Sequence, residues 1–368
     1  MSLERLVNPH ILDLEPYTPG KPIEAVEREL GISGSVKLAS NENPLGPSPK
    51  ALAALGKIAS DVNRYPDGAC FELRARLSER LGVAREQLVF GCGADEILEL
   101  LAKTFLAPGV EAVMPWPSFA MYPIVVKGMG GTVVQVPLTE AMGHDLSAML
   151  EAISERTRIV FVCNPNNPTG TSIGSDEFAR FVAALPDHVV LAVDEAYFEF
   201  VRRPDYPDTL ALIAERPGTI VLRTFSKIYG LAGLRVGYGI GSAEIVGYLE
   251  RARHPFNVNR LAEEAALAAL DDAEHARRTY EMNSEGIDFL TRELSALGHR
   301  VWPSDANFVL VRTGEGGYYD ALLRQGVIVR PLGGFGLDDC IRISVGTPDE
   351  NQRCVKAMQR IQETEANA

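Results

Sequence analysis

Residues 158–194, RIVFVCNPNNPTGTSIGSDEFARFVAALPDHVVLAVD, decide the fold of this chain. The stretch opens and closes with short apolar runs rich in β-branched residues, Arg158–Val162 and Val189–Val193, and a helix-like stretch separates them. Neither run alternates apolar with polar residues, which indicates strands that are covered by helices on both faces. The stretch therefore predicts two parallel strands joined by a helix, the repeating unit of a doubly wound sheet.

The same alternation of strand-like runs and helix-like stretches continues on both sides of this segment. The further strand-like runs are Gln87–Phe90, Glu111–Met114, Thr132–Val136 and Thr219–Leu222. Stretches rich in Ala, Leu, Glu and Arg separate them. The pattern predicts an α/β fold with a mostly parallel sheet, whose site is built from loops at the carboxyl ends of the strands.

The length of the chain and the change of sequence pattern along it predict a division into three parts. A chain of 368 residues exceeds the roughly 250–300 residues at which a single core stops growing. Residues 1–35, which are interrupted by prolines, are interpreted as an extended arm, residues 36–255 as a large domain, and residues 256–368 as a smaller α+β domain. In the last part we expect one long helical connection over Leu261–Leu297, strands at Asn307–Val311, Val327–Val329 and Ile341–Ser344, and a final helix over Pro348–Glu363.

Composition and charge exclude several classes of protein. Thirty-six basic and 49 acidic residues give a net charge of −13, which opposes nonspecific binding to nucleic acid or to an anionic membrane. The segment Met1–Asn8 lacks the apolar stretch of a signal peptide or membrane span, so a cytoplasmic protein is expected. The five cysteines form no CxxC pair and the six histidines lack metal-ligand spacing, so neither a disulfide framework nor a metal site is predicted.

One lysine stands among aromatic, hydroxyl and glycine residues in the stretch 222–238, LRTFSKIYGLAGLRVGY. An ammonium group in apolar surroundings loses solvation, so its pKa falls, and the neutral amine can form an imine with an aldehyde. Lys227 suits that chemistry, and nearby Thr224, Ser226 and Arg235 could hold a phosphate beside the imine. The alternative is a lysine whose stem packs in the protein while its head reaches water.

The stretch GCGADE, residues 91–96, follows a strand-like run and begins a helical pattern. Its glycines allow a tight turn, after which backbone N–H groups at the start of the helix could bind phosphate. A plain strand-to-helix turn is the alternative. The stretch is not the dinucleotide fingerprint GxGxxG, because Glu96 occupies the third glycine position.

Asp194 ends an apolar strand at the predicted carboxyl edge of the sheet. A carboxylate beside a pyridine nitrogen keeps the nitrogen protonated and makes the ring an electron sink, although Asp194 could instead cap the next helix. Asn167 and Tyr197 could donate hydrogen bonds to a ring phenolate. Phe119 could stack on a flat ring or could simply pack in the core.

With these motifs the chain resembles the histidinol-phosphate aminotransferase family. Members of that family are fold-type I, class II pyridoxal-phosphate-dependent aminotransferases. The resemblance covers almost the whole chain and rests on NENPLGPSP (41–49), RYPDG (64–68), GCGADE (91–96), PNNPTG (165–170), VDEAYFEF (193–200), TFSKIYGLAGLRVGYG (224–239), Arg330 and Arg342. This chain departs from the family pattern at two places. The family often has GNGSDE where this chain has GCGADE, which loses a serine hydroxyl, and it commonly has tyrosine where this chain has Phe119.

The resemblance implies a role for each matching residue. Lys227 would hold pyridoxal phosphate as a Schiff base and act as the catalytic acid and base, Asp194 would pair with the pyridine nitrogen, and Asn167 with Tyr197 would contact the phenolate oxygen. The residues implied to contact the cofactor phosphate are Ala94, Asp95, Thr224, Ser226 and Arg235.

The resemblance also implies substrate contacts and a homodimer with shared active sites. Tyr65 would reach the cofactor phosphate of the neighbouring subunit. Arg342 would bind the substrate carboxylate in a bidentate pair, while Arg330, Tyr17 and Asn167 would contact the rest of the substrate.

The implied activity is transfer of an amino group between glutamate or 2-oxoglutarate and histidinol phosphate, in histidine biosynthesis. An aromatic amino-acid aminotransferase and a threonine-phosphate decarboxylase share the scaffold and remain alternatives. Two alternatives come from other classes. A noncatalytic regulator on the same fold is disfavoured by the presence of Lys227, and a nucleotide-binding dehydrogenase is disfavoured by the absence of GxGxxG.

Overall fold

The computed structural model describes residues 3–17, 19–314 and 317–366. Its strands are β1 (Val36–Lys37), β2 (Leu88–Gly91), β3 (Glu111–Trp116), β4 (Thr132–Pro137), β5 (Thr157–Cys163), β6 (Val190–Asp194), β7 (Thr219–Thr224), β8 (Gly237–Gly241), β9 (Arg300–Val301), β10 (Phe308–Arg312), β11 (Val327–Ile328), β12 (Arg330–Pro331) and β13 (Cys340–Ser344). Its α-helices are α1 (Pro9–Leu12), α2 (Ile23–Leu30), α3 (Pro49–Ile58), α4 (Phe71–Leu81), α5 (Ala94–Phe105), α6 (Met121–Gly128), α7 (Leu146–Glu151), α8 (Ser175–Ala184), α9 (Leu212–Glu215), α10 (Ala243–Ala252), α11 (Arg260–Leu270), α12 (Ala273–Ala296), α13 (Tyr318–Arg324) and α14 (Pro348–Ala366).

A seven-stranded sheet in the order β2-β8-β7-β6-β5-β3-β4 forms the centre of the larger part of the molecule. Strands β3 to β7 run parallel, and β8 lies antiparallel to both of its neighbours. Strand β7 is buried along its whole length, and β5 and β6 nearly so, because helices cover both faces. The predicted mostly parallel α/β sheet is confirmed.

The sequence pattern did not indicate β8, because its sequence GYGIG contains three glycines, which are depleted in strands. The structure shows why small residues are present there. A Cβ on Gly239 would lie 3.0 Å from the Val89 side chain, and one on Gly241 would lie 2.6 Å from the Ile245 side chain. Glycine in this strand therefore lets neighbouring elements approach its backbone closely.

A smaller antiparallel sheet in the order β12-β13-β10-β9 is built from the last third of the chain. Helices α12 and α14 pack on it through a second core that includes Leu290, Ile343 and Met358. The short strand β1 pairs in parallel with β11, so residues 36–37 are hydrogen-bonded to the C-terminal part. The division into residues 1–35, 36–255 and 256–368 stays a prediction.

Two sequence-based expectations about local structure were wrong. The single helical connection expected over residues 261–297 is two helices, α11 and α12, and the side chain of Asp272 caps the second by accepting a hydrogen bond from the backbone N–H of His275. The opening segment is not extended throughout, because residues 23–30 form the amphipathic helix α2, which buries Val26. In the described residues, no helix has both the length and the apolar character needed to cross a bilayer.

Candidate active site

A cavity of ≈ 270 Å³ lies at the carboxyl ends of β6 and β7. It contains every site residue predicted from the sequence except Tyr65. The lining residues are Tyr17, Gly20, Ala39, Ser40, Asn41, Glu42, Ala94, Asp95, Phe119, Cys163, Asn167, Asp194, Ala196, Tyr197, Thr224, Ser226, Lys227, Ala232, Arg235, Arg330 and Arg342.

Lys227 projects into this cavity three positions after Thr224, the last residue of β7. Its ammonium makes no hydrogen bond or ion pair with the described residues, and its Nζ lies 5.5 Å from the centre of the Tyr197 ring. Burial, together with the positive charge of Arg342, lowers the pKa of Lys227 to about 8. The amine is therefore partly neutral near physiological pH, which a nucleophile toward aldehydes requires.

Asp194 is the last residue of β6, and two donors hold its buried carboxylate. Tyr122 donates its phenolic proton to Oδ2 at 2.8 Å, and the backbone N–H of Ala196 donates to Oδ1 at 3.0 Å. Burial raises the pKa of Asp194 to about 6, while the hydrogen bond from Tyr122 opposes that rise. A positioned carboxylate of this kind suits a protonated ring nitrogen.

Sequence reasoning missed Tyr122 as a functional residue. It lies in the same stretch as Phe119 and is fully buried on α6. Its ring stacks on Phe161 with 4.8 Å between centroids, and the Phe119 ring lies nearly perpendicular to it with 5.7 Å between centroids. A buried tyrosine needs a partner for its hydroxyl, but the sequence does not show that the partner is Asp194.

The start of α5 and the residue Arg235 form a cradle that fits a phosphate group. Helix α5 begins at Ala94 directly after Gly93, and its first backbone N–H groups have no intrahelical acceptor. Gly93 has a positive φ of 79°, which favours glycine, and the missing Cβ, which would lie 2.5 Å from the guanidinium of Arg235, lets the cation approach the turn closely. Arg235 adopts a left-handed conformation with φ 59° and forms an ion pair with Asp95 at 2.9 Å. These groups fit the phosphate of pyridoxal phosphate.

Arg342 and Arg330 face the cavity from adjacent strands. They are direct partners in the antiparallel pair β12–β13. The guanidinium of Arg342 donates to Oδ1 of Asn167 and, at 2.6 Å, to the carbonyl oxygen of Ala39, while its buried Nε has no partner among the described residues. The guanidinium of Arg330 lies 5.5 Å from the centre of the Tyr17 ring. The cavity can therefore bind an anionic substrate close to Lys227.

Tyr65 does not reach the cavity of its own chain. Its side chain is 82% exposed and stacks on Phe256 with 4.8 Å between the ring centroids. The contact to a neighbouring subunit that the resemblance implies for Tyr65 stays a prediction.

Comparisons with known proteins identify the family. Residues 33–358 match the model of the family described as aminotransferase class I and II. The histidinol-phosphate aminotransferase of Akkermansia muciniphila is 50% identical over 98% of this chain and 100% of its own length, and that of Moorella thermoacetica is 48% identical over 95% and 92%.

A solved structure gives the same result at the level of the fold. The crystal structure of histidinol-phosphate aminotransferase from Sinorhizobium meliloti in complex with pyridoxal-5'-phosphate superposes with a TM-score of 0.90 at 29% identity. The superposition covers 97% of this chain and 98% of that one. The predicted fold-type I aminotransferase is thereby confirmed, and the chain belongs to the class I and II aminotransferases.

Proposed function

We propose that this chain is a pyridoxal-phosphate-dependent aminotransferase that exchanges an amino group between histidinol phosphate and 2-oxoglutarate in histidine biosynthesis. The observation that carries the proposal is the direct pairing of Arg330 with Arg342 at a cavity that also holds Lys227. One site must bind two amino-group donors in turn: glutamate, which carries two carboxylates, and histidinol phosphate, which carries a phosphate dianion. Two adjacent arginines complement both molecules, because guanidinium groups pair with carboxylate and with phosphate.

Different residues of the cavity would bind different parts of the cofactor. Asp194 would pair with the ring nitrogen, Asn167 and Tyr197 would donate to the ring oxygen, and Phe119 would stack on the ring. The phosphate would be held by Ala94, Asp95, Thr224, Ser226 and Arg235. When bound, pyridoxal phosphate supplies an aldehyde carbon and an electron-withdrawing ring.

Lys227 carries the proton transfers in this proposal. Because burial and Arg342 lower the pKa of its amine to about 8, the group can take up a proton and release it again near neutral pH. Arg342 would hold the substrate in reach of that amine, Arg330 would pair with the phosphate of histidinol phosphate, and Tyr17 would contact the substrate side chain. The positions of both arginines on a hydrogen-bonded strand pair restrict how far they can separate.

The first prediction tests the cofactor and Lys227 together. The protein mixed with pyridoxal phosphate should show visible absorbance, and borohydride reduction should attach the cofactor permanently to the peptide that contains Lys227. Lys227→Ala should still bind the cofactor noncovalently through the phosphate cradle and Asp194, but transamination should fall roughly 10³-fold or more. Near-normal transamination by Lys227→Ala would rule out the role of this amine.

The second prediction tests the substrate through kcat/KM for histidinol phosphate and for phenylalanine. Arg330→Ala should lower the value for histidinol phosphate by roughly 10- to 150-fold, since a hydrogen bond to a charged group is worth about 1.5–3 kcal/mol, and phenylalanine should lose much less. Arg312→Ala is the matched control, because Arg312 belongs to the same small sheet but forms an ion pair with Asp339 away from the cavity. Equal losses for both substrates, or a preference of the unaltered protein for phenylalanine, would favour an aromatic aminotransferase.

We further propose a cytoplasmic homodimer in which Tyr65 of each subunit completes the phosphate site of the other. The proposal is supported by an exposed apolar patch, formed by Val62, Tyr65 and Phe256, on a chain whose own cavity lacks Tyr65.

A further inference from the structure

Asn41 lines the cavity but is not among the residues assigned to the cofactor or the substrate. It is only 2% exposed, and its backbone is left-handed with φ 55°. Asparagine tolerates this conformation better than most residues that carry a Cβ. A buried polar residue with an uncommon backbone conformation beside a candidate active site suggests that its side chain has a specific task.

Asn41 connects Tyr197 with the end of β13. Its Nδ2 donates to the hydroxyl oxygen of Tyr197 at 2.9 Å, and its Oδ1 accepts the hydroxyl proton of Ser344 at 2.7 Å. The backbone N–H of Asn41 donates in turn to the Ser344 hydroxyl oxygen at 2.9 Å, and Asn307 donates to the Asn41 carbonyl oxygen at 3.0 Å.

These bonds fix which way the Asn41 amide points. A backbone N–H can only donate, so the oxygen of Ser344 accepts from it and the Ser344 proton must go to another acceptor. That acceptor is Oδ1 of Asn41. The reverse orientation of the amide would leave the Ser344 proton without an acceptor in the part of the chain that the structure describes.

The direction of the amide determines the direction of the Tyr197 hydroxyl. Because the Nδ2 of Asn41 donates, the phenolic oxygen accepts, and the phenolic proton must point elsewhere. Tyr197 is 3% exposed, and no other hydrogen bond joins its hydroxyl to a described residue. The remaining direction is toward the cavity that Tyr197 lines.

We infer that Asn41 is a positioning residue, whose amide keeps the Tyr197 hydroxyl turned so that it donates its proton to an anionic oxygen on the cofactor ring. The inference rests on the proposed function, since that function supplies the ring oxygen. It also links the ring oxygen to the small sheet, because Ser344 lies two positions after Arg342 on the same strand. Arg342 contacts Asn167 directly, so β13 is connected to both residues that would hold the ring oxygen.

The test is an absorbance titration of the protein loaded with pyridoxal phosphate and free of substrate. A donor to the ring oxygen favours the state in which that oxygen carries full negative charge, so losing the donor should raise the pKa of the visible absorbance change. Asn41→Gly removes the amide without straining the left-handed backbone, and we expect it to raise that pKa by about one unit. Tyr197→Phe should raise it at least as much.

A double-mutant cycle separates positioning from a general structural effect. Adding Asn41→Gly to Tyr197→Phe should cause no further shift, because the amide acts only through the hydroxyl. Asn43→Ala is the control, since Asn43 is buried in the same motif but binds Ile228 and Thr279, and it should leave the pKa unchanged.

Each remaining outcome overturns a definite claim. No shift in Asn41→Gly, or a further shift when it is added to Tyr197→Phe, would overturn the inference while the proposed function stands. An unaltered protein without visible absorbance would overturn the proposed function and this inference with it.

Discussion

At the scale of single residues, the chemistry of the site depends on buried titratable groups whose pKa values are set by burial and by neighbouring groups. Asp194 illustrates this, because burial raises the pKa of its carboxyl group, while the hydrogen bonds from Tyr122 and Ala196 oppose that rise by stabilising the charged form. Lys227 is the opposite case, in which burial favours the neutral amine. The same cavity is thereby lined by a stabilised carboxylate and by an amine that can gain or lose a proton near neutral pH, as an acid–base site requires.

The third prediction concerns Tyr122→Phe. Loss of the phenolic donor destabilises the carboxylate, so the pKa of Asp194 should rise further above about 6. The affinity for pyridoxal phosphate should therefore begin to fall at a higher pH in the variant than in the unaltered protein, and the two should agree well above the pKa of Asp194. The measurement is the cofactor dissociation constant across pH 5–9.

Tyr280→Phe is the control for Tyr122→Phe, because Tyr280 is a partly buried tyrosine on α12 that packs against the core and does not line the cavity. Its pH profile should match that of the unaltered protein. A Tyr122→Phe profile with an unshifted acid limb would contradict the assigned donor role.

At the scale of elements, the strand ends are fixed by contacts on the face of the sheet opposite to the site. Successive residues of a strand point to opposite faces, so Glu195 and Arg223 point away from their neighbours Asp194 and Thr224. They form a buried ion pair at 2.8 Å, with side-chain exposures of 0% and 6%. The pair joins the ends of β6 and β7 on the face opposite to the site. Removal of either partner would leave an uncompensated buried charge and would destabilise both strand ends.

The fourth prediction concerns the contact between β8 and the start of α5. A Cβ on Gly237 would clash with the backbone nitrogen of Ala94 and would lie 2.7 Å from the carbonyl carbon of Gly93. Gly237→Ala should therefore displace the phosphate cradle and raise the cofactor dissociation constant by about 5- to 150-fold, because overpacking against rigid backbone costs roughly 1–3 kcal/mol.

Gly247→Ala provides the matched glycine control. Gly247 lies on α10, and a Cβ added there would meet no heavy atom within 4 Å among the described residues. Alanine should therefore leave cofactor affinity unchanged and stabilise the helix by about 0.5–1 kcal/mol. An unchanged dissociation constant in Gly237→Ala would show that the cradle does not depend on this close approach.

At the scale of the whole molecule, the cavity joins parts of the chain that are far apart in sequence. The large sheet contributes Asp194 and Lys227, the small sheet contributes Arg330 and Arg342, and the N-terminal segment contributes Tyr17 and Asn41. Tyr65 is the exception, because it lies on the exposed patch with Val62 and Phe256. This position fits the proposal that Tyr65 serves the site of a second copy rather than that of its own chain.

The fifth prediction is that the protein sediments as a homodimer and that Tyr65→Phe raises the cofactor dissociation constant about tenfold or more, since a bond to a charged acceptor is lost. Hybrid dimers make the test specific. A dimer of one Tyr65→Phe subunit and one Lys227→Ala subunit should contain one site in which both Lys227 and the partner tyrosine are intact, and that site should regain normal affinity. A monomer with full activity, or hybrids without recovery, would contradict shared sites.

The sequence by itself determined the elements whose physical cause is local. Strands β5 and β6 follow from apolar runs, Asp194 as a candidate follows from the end of such a run, and Lys227 as a candidate follows from a single lysine in a stretch of aromatic, hydroxyl and glycine residues. The resemblance to a known family then assigned roles that spacing alone left open. Local patterns are readable because burial on both faces of a strand constrains every residue in it.

Only the tertiary structure decided which distant groups meet. Tyr122 and Asp194 are 72 residues apart in the chain, and Asn41 and Ser344 are 303 apart. Their pairing depends on the order of the strands and on the packing of helices between them. The hydrophobic periodicity of the sequence does not indicate that order. The same holds for β8, whose glycines weaken any strand signal but allow the backbone of α5 to approach. The sequence therefore supplies each donor and acceptor of the site, but the fold decides which of them pair and in which direction each hydrogen bond runs.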